Sequence, residues 1–375
     1  MSLNSRFCFI CEFYDSMAGI VRKYQLYYYP DDNTIEMHDM KIKKIFLKKV
    51  NYPEITMTNL YLGSDITVYS RKLKIVEYGD TYTQKYFDDT RTSTYGMIKP
   101  DSYLNIGKII DMIYAGGFTI SKLKMTKLSV DDASEFYQEH YGKNFYKSLI
   151  EFMTSDLVVG MELVYKDSVN SWRQFIGPTN SEVAREKAPN SIRALFGTDG
   201  SKNAVHGSDS FNSASRELAF MFGNNTRLKS VPQLNNSTCL IIKPHIIQEG
   251  NAGKIIDIVL TEGFEISCLE MFYLDKVTAE EFFEVYKGVL PEYSSLIDQV
   301  TSGPILVMEV RQDNVVQAIR ALVGPHDPDI ARELRPNTLR AMFGKDRVKN
   351  AVHCTDLPDD GILEVQYFFE LLQEK

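Results

Sequence analysis

The chain says the same thing twice. Residues 98–118 read IKPDSYLNIGKIIDMIYAGGF and residues 242–264 read IKPHIIQEGNAGKIIDIVLTEGF. Further along, SIRALFGTDGSKNAVHGSD at 191–209 returns as TLRAMFGKDRVKNAVHCTD at 338–356. The offset is 144 residues at Lys99 and Lys243 and 147 at His206 and His353. A near-constant offset over that distance means a duplicated domain rather than a short solenoid unit. The 375 residues leave room for both copies and a smaller third module.

Each copy opens on an apolar strand (YGMIKP, CLIIKP) and continues into a helix whose Ile109, Ile110 and Ile113, or Ile255, Ile256 and Leu260, are spaced to face a core. Gly117-Phe118 and Gly263-Phe264 end those helices and lead into a second strand. A second helix follows, with Ser129 and Thr278 placed as N-caps, then a buried strand (LVVGMELVY, PILVMEV) and more helix. This order predicts an α+β fold: two tandem ferredoxin-like, split βαβ domains. We place the first at 90–222, a polar linker at 223–236 and the second at 237–375. Residues 1–88 differ, with alternating aromatic runs (YQLYYY, ITVYSRKLKIVEY) and turn signals at 30–33 and 62–65. They predict a small all-β domain with nearly balanced charge and five lysines gathered in KIKKIFLKK at 41–49.

A net charge of -8 argues against a dedicated nucleic-acid binder, whose affinity comes from Lys and Arg neutralising phosphates. No apolar run approaches the roughly 20 residues of a membrane span. The N-terminus lacks the pattern of a secretory leader, so a cytoplasmic location is expected. Cys8 and Cys11 form a C-x-x-C, but with no second pair they read as two strand cysteines rather than a zinc site.

No P-loop, H-R-D, D-F-G or H-E-x-x-H occurs. What stands out is NAVHGSD around His206. A lone histidine is more often structural than catalytic. Here it lies in a Gly- and Ser-rich turn, recurs as His353, and is followed eleven residues later by a glutamate in both copies, Glu217 and Glu364. A neutral imidazole is available as a base or nucleophile near pH 7.

These residues resemble the nucleoside diphosphate kinase family, whose N-x-x-H-G-S-D motif surrounds a phosphorylated histidine and whose domain opens on IKPD. The resemblance covers about three quarters of the chain. It implies His206 as nucleophile, Glu217 holding its other ring nitrogen, and Ser208 bonding that glutamate. Lys99, Arg173 and Arg193 match the family's phosphate-binding cations, Thr179 a phosphate hydroxyl ligand, and Tyr137 a phenol near the transferred group. Asn203 matches a sugar contact and Phe145 a base-stacking aromatic, which reads a π face and so accepts every base. Magnesium is implied on the nucleotide phosphates, with no protein metal ligand. Compared with compact relatives, Lys99 to Gly107 is two residues short and Gly177 to Arg193 three long, and neither change removes a functional residue.

Repeat two keeps Lys243, Arg320, Arg340, Asn350, His353 and Glu364. It carries Phe283 for the tyrosine, His326 for the threonine, Thr355 for the serine and Cys354 beside the histidine. An insertion near Pro291 leaves no aromatic for the base. We expect this site to be degenerate and only repeat one to turn over ATP and nucleoside diphosphates. A small module ahead of two such repeats resembles a ciliary branch of the family. That implies, as the alternative, a mainly structural protein on or inside axonemal microtubules, or at centrosomes with the γ-tubulin complex. A C-terminus ending at FFELLQEK, without the tail that supports trimer contacts in the family's hexamers, suggests a monomer whose repeats pair as an internal pseudo-dimer.

Overall fold

The computed structural model describes residues 6–15, 18–61, 64–88, 92–223 and 226–374. They form two compact units, 1–91 with 273–304 and 92–272 with 305–375. The turn signal at 62–65 lies partly outside the described residues, as does 224–225 of the linker.

In the first unit six strands, β1 (Phe7–Asp15), β2 (Ile20–Tyr29), β3 (Thr34–Asp39), β4 (Lys44–Asn51), β5 (Asp65–Val68) and β6 (Arg71–Tyr78), form an antiparallel sheet in the order β4-β3-β2-β1-β6-β5. Alternation sends Tyr24, Leu26, Tyr28, Ile35 and Met37 to one buried face. The aromatic-rich segment that follows β6 is a helix, Thr81–Asp88, which strand alternation does not anticipate. Its Phe87 stands edge-on to Phe7 and Phe9 and covers their end of the core. Cys11 joins that core, while Cys8, an odd number of residues away on β1, points to the opposite face, where Gln25 Nε2 donates to its sulfur. The two thiols therefore do not face a common ligand. Strand β4 is an edge, and its exposed Lys44 and Lys48 discourage pairing with another strand there. The same unit takes in 273–304, where Lys72 Nζ lies 5.0 Å from the Tyr273 ring centroid. In that segment the helix Lys276–Phe282 is capped by Asp275, whose side chain accepts from the Thr278 amide. Thr278 is thus the third helical residue and not the N-cap expected. Ser129 does cap its helix, accepting from the Asp132 amide.

The second unit is built on one eight-stranded sheet made of β7 (Thr92–Ile98), β8 (Thr119–Thr126), β9 (Val158–Tyr165), β10 (Val205–Gly207), β11 (Ser237–Ile242), β12 (Glu265–Phe272), β13 (Ile305–Arg311) and β14 (Val352–Cys354). The order is β10-β7-β9-β8-β12-β13-β11-β14. Each half is a ferredoxin-like fourth-first-third-second arrangement, and the halves meet as mirror sequences. The helices Ile106–Ala115 and Ala252–Thr261 pack at backbone contact: a Cβ on Gly107 would stand 2.3 Å from the Asp257 amide, and one on Gly253 2.3 Å from that of Asp111. Tyr103 Oη donates to the Ile266 carbonyl at 2.9 Å and accepts from the Ile266 amide at 2.7 Å.

Where β8 meets β12 the register sets Lys124 opposite Glu270. These are equivalent positions of the two repeats, and they carry opposite charges 3.3 Å apart at 13% and 12% exposure. The linker is polar because it is bonded rather than free. Ser230 Oγ donates to the Met125 carbonyl and to Glu270, and the Gln233 and Leu234 amides donate to the buried Glu309 carboxylate.

Candidate active site

His206 is not in a turn as its glycine- and serine-rich surroundings suggest. It is the middle residue of β10, three residues long, facing Met97 on β7. The chain enters this strand through Ala204, whose φ of 67° is left-handed and costs roughly 1 kcal/mol or more for a residue with a Cβ. Ala351 repeats the feature at 72°. Two bonds hold the strained residue: its amide donates to Asp101 Oδ2 at 3.1 Å and its carbonyl accepts from the Lys99 amide at 2.8 Å. Asp101 of the IKPD motif thus shapes the strand that carries His206, a role invisible across 103 residues of sequence.

His206 Nε2 faces Glu217 Oε2 at 2.9 Å, and Ser208 Oγ donates to the same oxygen at 2.7 Å. Glu217 lies on the helix Phe211–Phe222 at 2% exposure. A carboxylate there places the ring proton on Nε2 and leaves the Nδ1 lone pair for chemistry. Around the imidazole stand Phe136 (5.3 Å, edge-on), Tyr95 and Tyr137 (6.0 and 6.2 Å between centroids). The Tyr137 hydroxyl has no hydrogen-bond partner among the described residues. Burial, then the Glu217 charge, keeps that phenol protonated far above its usual range. A buried donor without an acceptor suits an incoming phosphate oxygen.

His206, Glu217 and Tyr137 line a cavity of about 740 Å³ with Lys99, Phe145, Arg173, Thr179, Arg193 and Asn203. Of the residues matched in repeat one, only Ser208 stands behind the wall. Lys99 Nζ donates to Asn203 Oδ1 at 2.8 Å, and Asn203 Nδ2 donates to the Thr179 and Gly200 carbonyls, so the asparagine ties the lysine to two loops. Arg193 reaches the Gly177 and Val205 carbonyls. Burial, then Arg193, lowers the Lys99 pKa to about 8, and burial, then Arg173, lowers that of Arg193 to about 10. Cations held so near one another, with their charged forms disfavoured by burial until an anion arrives, are arranged to receive one. Phe145 is 46% exposed at the head of the helix Tyr146–Met153, an aromatic shelf at the cavity mouth with His140 edge-on to it at 5.6 Å and Lys143 Nζ 5.8 Å from its centroid. Among the described residues there is no group of three or more His, Cys, Asp or Glu that could hold a metal ion.

Trp172, unremarked in the sequence, is fully buried and donates its indole N–H to the His206 carbonyl at 3.3 Å. A Cβ on Gly207 would come within 2.6 Å of that ring, which explains the glycine after the histidine. Repeat two changes both partners, with Cys354 for Gly207 and Ile319 for Trp172. Gly207→Cys alone should overpack the strand and lower stability by about 1–3 kcal/mol. Adding Trp172→Ile should recover part of the loss in a thermal melt. Additive losses would show that the pair is not coupled.

The second site retains the histidine–glutamate pair but encloses it more and pairs one of its arginines. His353 Nε2 meets Glu364 at 3.1 Å and Thr355 donates to the same oxygen at 2.9 Å. Yet the His353 side chain is 8% exposed against 20% for His206. Asp356 forms a salt bridge with Arg320, whereas the bonds of Asn350 to the His326 carbonyl and of Lys243 to the Val348 carbonyl repeat those of Asn203 to Thr179 and of Lys99 to Ser201. Burial, then Arg340, lowers the Lys243 pKa to about 7. Arg340 reaches the Gly324 and Val352 carbonyls just as Arg193 reaches its own pair. In the other unit, Glu292 precedes the helix Tyr293–Val300 where Phe145 precedes its equivalent, and the buried Phe283 lacks the phenol.

A duplicated ferredoxin-like fold with a histidine–glutamate pair beside clustered cations defines a class, and sequence comparison agrees. The family model for nucleoside diphosphate kinase matches residues 92–226 and 236–373, and the chain belongs to that family. Residues 1–89 match the model described as the nucleoside diphosphate kinase 7 N-terminal PH domain. The chain is 47% identical over 371 residues to nucleoside diphosphate kinase homolog 7 of Rattus norvegicus, covering 98% of this chain and 94% of that one. Its identity to the Mus musculus homolog 7 is 46% over the same shares. The nucleoside diphosphate kinase of Aquifex aeolicus is 47% identical over 128 residues, 34% of this chain and 90% of its own.

Proposed function

We propose that repeat one is a nucleoside diphosphate kinase working in two half-reactions. His206 Nδ1 attacks the ATP γ-phosphorus as the bond to the ADP oxygen breaks. ADP leaves, and a second nucleoside diphosphate takes the phosphoryl group from His206. Lys99, Arg173, Arg193 and the Tyr137 hydroxyl meet the charge that spreads over the phosphoryl oxygens. Glu217, oriented by Ser208, holds the ring proton on Nε2 and stabilises the cationic ring as it forms. Thr179 adds a phosphate contact, Asn203 fixes Lys99 and reaches the sugar, and Phe145 stacks on the base. Magnesium enters with the nucleotide as part of the substrate. The observation that carries this reading is the convergence of these side chains on one cavity around His206. Initial rates with ATP and a second diphosphate should give parallel double-reciprocal lines, and intersecting lines would rule out the phosphoenzyme route.

Lys99 supplies a pH test. Its pKa of about 8 in the free site lies below the usual lysine value, so an anion that prefers the charged form must draw in a proton. Calorimetry of ADP binding at pH 8 in two buffers of different ionisation enthalpy should show uptake of up to about half a proton per site. Affinity should fall as pH rises through 8. Lys99→Met should abolish the uptake, and an unchanged uptake would remove Lys99 from the phosphate site.

The closed second site and the added N-terminal module favour a second, compatible role as a microtubule-associated protein of cilia or centrosomes, with repeat two kept as surface. Lys41, Lys43, Lys44 and Lys48 are exposed at the β4 edge and could meet an acidic lattice such as tubulin's. Because 273–304 shares a unit with this sheet, point substitution is a cleaner probe than deletion. Replacing the four lysines by glutamate should weaken microtubule co-sedimentation and its salt dependence while leaving phosphotransfer intact. Unchanged sedimentation would discard this surface.

A further inference from the structure

The Glu217 carboxylate has two oxygens, and the site as described uses one. Oε2 serves His206 and Ser208. Oε1 lies 3.7 Å from Arg216 Nη2, the neighbouring residue on the same helix. Successive helical side chains do not ordinarily face each other, so this arginine is drawn back towards its neighbour. The same nitrogen donates to Glu139 Oε2 at 3.2 Å. Glu139 belongs to the short turn Gln138–His140, which runs from Tyr137, the unpartnered phenol, towards Phe145, the aromatic shelf. Both Glu139 and Glu217 line the His206 cavity, while Arg216 and Glu217 also line a separate hollow of about 500 Å³ on the other side.

We propose that Arg216 is a positioning residue that clamps the histidine's glutamate to the nucleotide-covering turn. Glu217 is otherwise faced by neutral groups and by the histidine itself: Ser208, the phenols of Tyr95 and Tyr137, and His206. Among the described residues Arg216 is the one permanent cation within 4 Å of its carboxylate. By holding Oε1 it keeps Oε2 turned to His206, where it accepts from Nε2–H and leaves Nδ1 free. Without it the carboxylate can turn about its last bond and carry Oε2 away from Nε2, so that the ring proton is no longer confined there and can sit on Nδ1, the attacking atom. Through Glu139 the clamp also ties that tautomer to the placement of the phenol and the shelf. Repeat two dispenses with the device: Leu363 stands where Arg216 does and Val285 where Glu139 does.

This proposal rests on the phosphotransfer reading, so its test has a part that needs no turnover. In the full chain labelled with ¹⁵N-histidine, and assigned with His206→Ala, the His206 ring should show the Nε2–H tautomer. Arg216→Leu should bring in a substantial Nδ1–H population, and Arg216→Lys should not. Kinetically, Arg216→Leu should lower kcat about tenfold with KM for the diphosphate changed less than twofold, and Arg216→Lys should restore most of it. Glu139→Gln should cause a smaller loss that adds little in the double variant. An unchanged tautomer, a loss confined to KM, equal losses in the Leu and Lys variants, or additivity with Glu139→Gln would each overturn the clamp. If the wild-type chain transferred no phosphate, the proposed function would fail while the tautomer would still judge this inference.

Discussion

His206→Ala is expected to lower phosphotransfer on the order of 10⁴–10⁶-fold, the scale seen when a nucleophile is removed from an otherwise intact site. His353→Ala should leave turnover within about twofold, because the second histidine is the more occluded and Arg320 of its site is already paired. Arg320 is held by Asp356, so a nucleotide there would have to break an ion pair that Arg173 does not make among the described residues of repeat one. A steady-state assay of both variants decides it, and comparable losses would show that repeat two works. The comparison also guards against a folding artefact, since both histidines are middle residues of three-residue edge strands and both bond a glutamate.

Reversing the charge at the junction of the repeats should cost more stability than any surface change. Lys124→Glu would set two carboxylates against each other where β8 meets β12, and Glu270 already has its pKa raised by burial despite the lysine beside it. Breaking such a pair costs about 3 kcal/mol or more, which for a unit of this size lowers the melting temperature by roughly 6–12 °C. The exchange Lys124→Glu with Glu270→Lys should recover at least half of the loss. Recovery would be incomplete because Glu270 also accepts from Ser230 and Gln373. The physical point is specificity. Two identical repeats pairing this way would face lysine with lysine or glutamate with glutamate, so the opposite charges select the unlike partner within the chain. A reversal that leaves the melt unchanged would remove the junction from the stability account.

What could be read in advance follows from the range of each interaction. The strands β7, β9, β11 and β13 are apolar runs, and the helices at 106–115 and 252–261 show their buried isoleucines at helical spacing, so local pattern suffices for the sheet. Local pattern fails for β10: three residues carry no periodicity, and Gly and Ser around His206 mimic a turn. It fails at Asp275 and Thr278, both competent caps three residues apart, where only the backbone shows which one lies outside the helix. Asp101, Trp172 and Arg216 escaped notice because each acts on a partner that its own neighbourhood does not reveal. A lysine at 124 and a glutamate at 270 mean nothing until β8 is known to meet β12. The residues of the His206 cavity were legible only as a family motif in register. Their contacts supply the reason for the register: the strained Ala204 needs Asp101, Trp172 leaves room only for a glycine at 207, and Lys99 needs Asn203.

The central claim is that His206, and no other residue, carries the phosphoryl group between nucleotides. Incubating the full chain with γ-³²P-labelled ATP and magnesium, quenching, and mapping the labelled peptide tests it without coupling enzymes. The account predicts one label per chain on the peptide bearing NAVHGSD, lost in acid and stable in base as a phosphoramidate is, chased off by added diphosphate and absent from His206→Ala. Label that survives acid, that sits on the peptide bearing His353, or that persists undiminished in His206→Ala would contradict it.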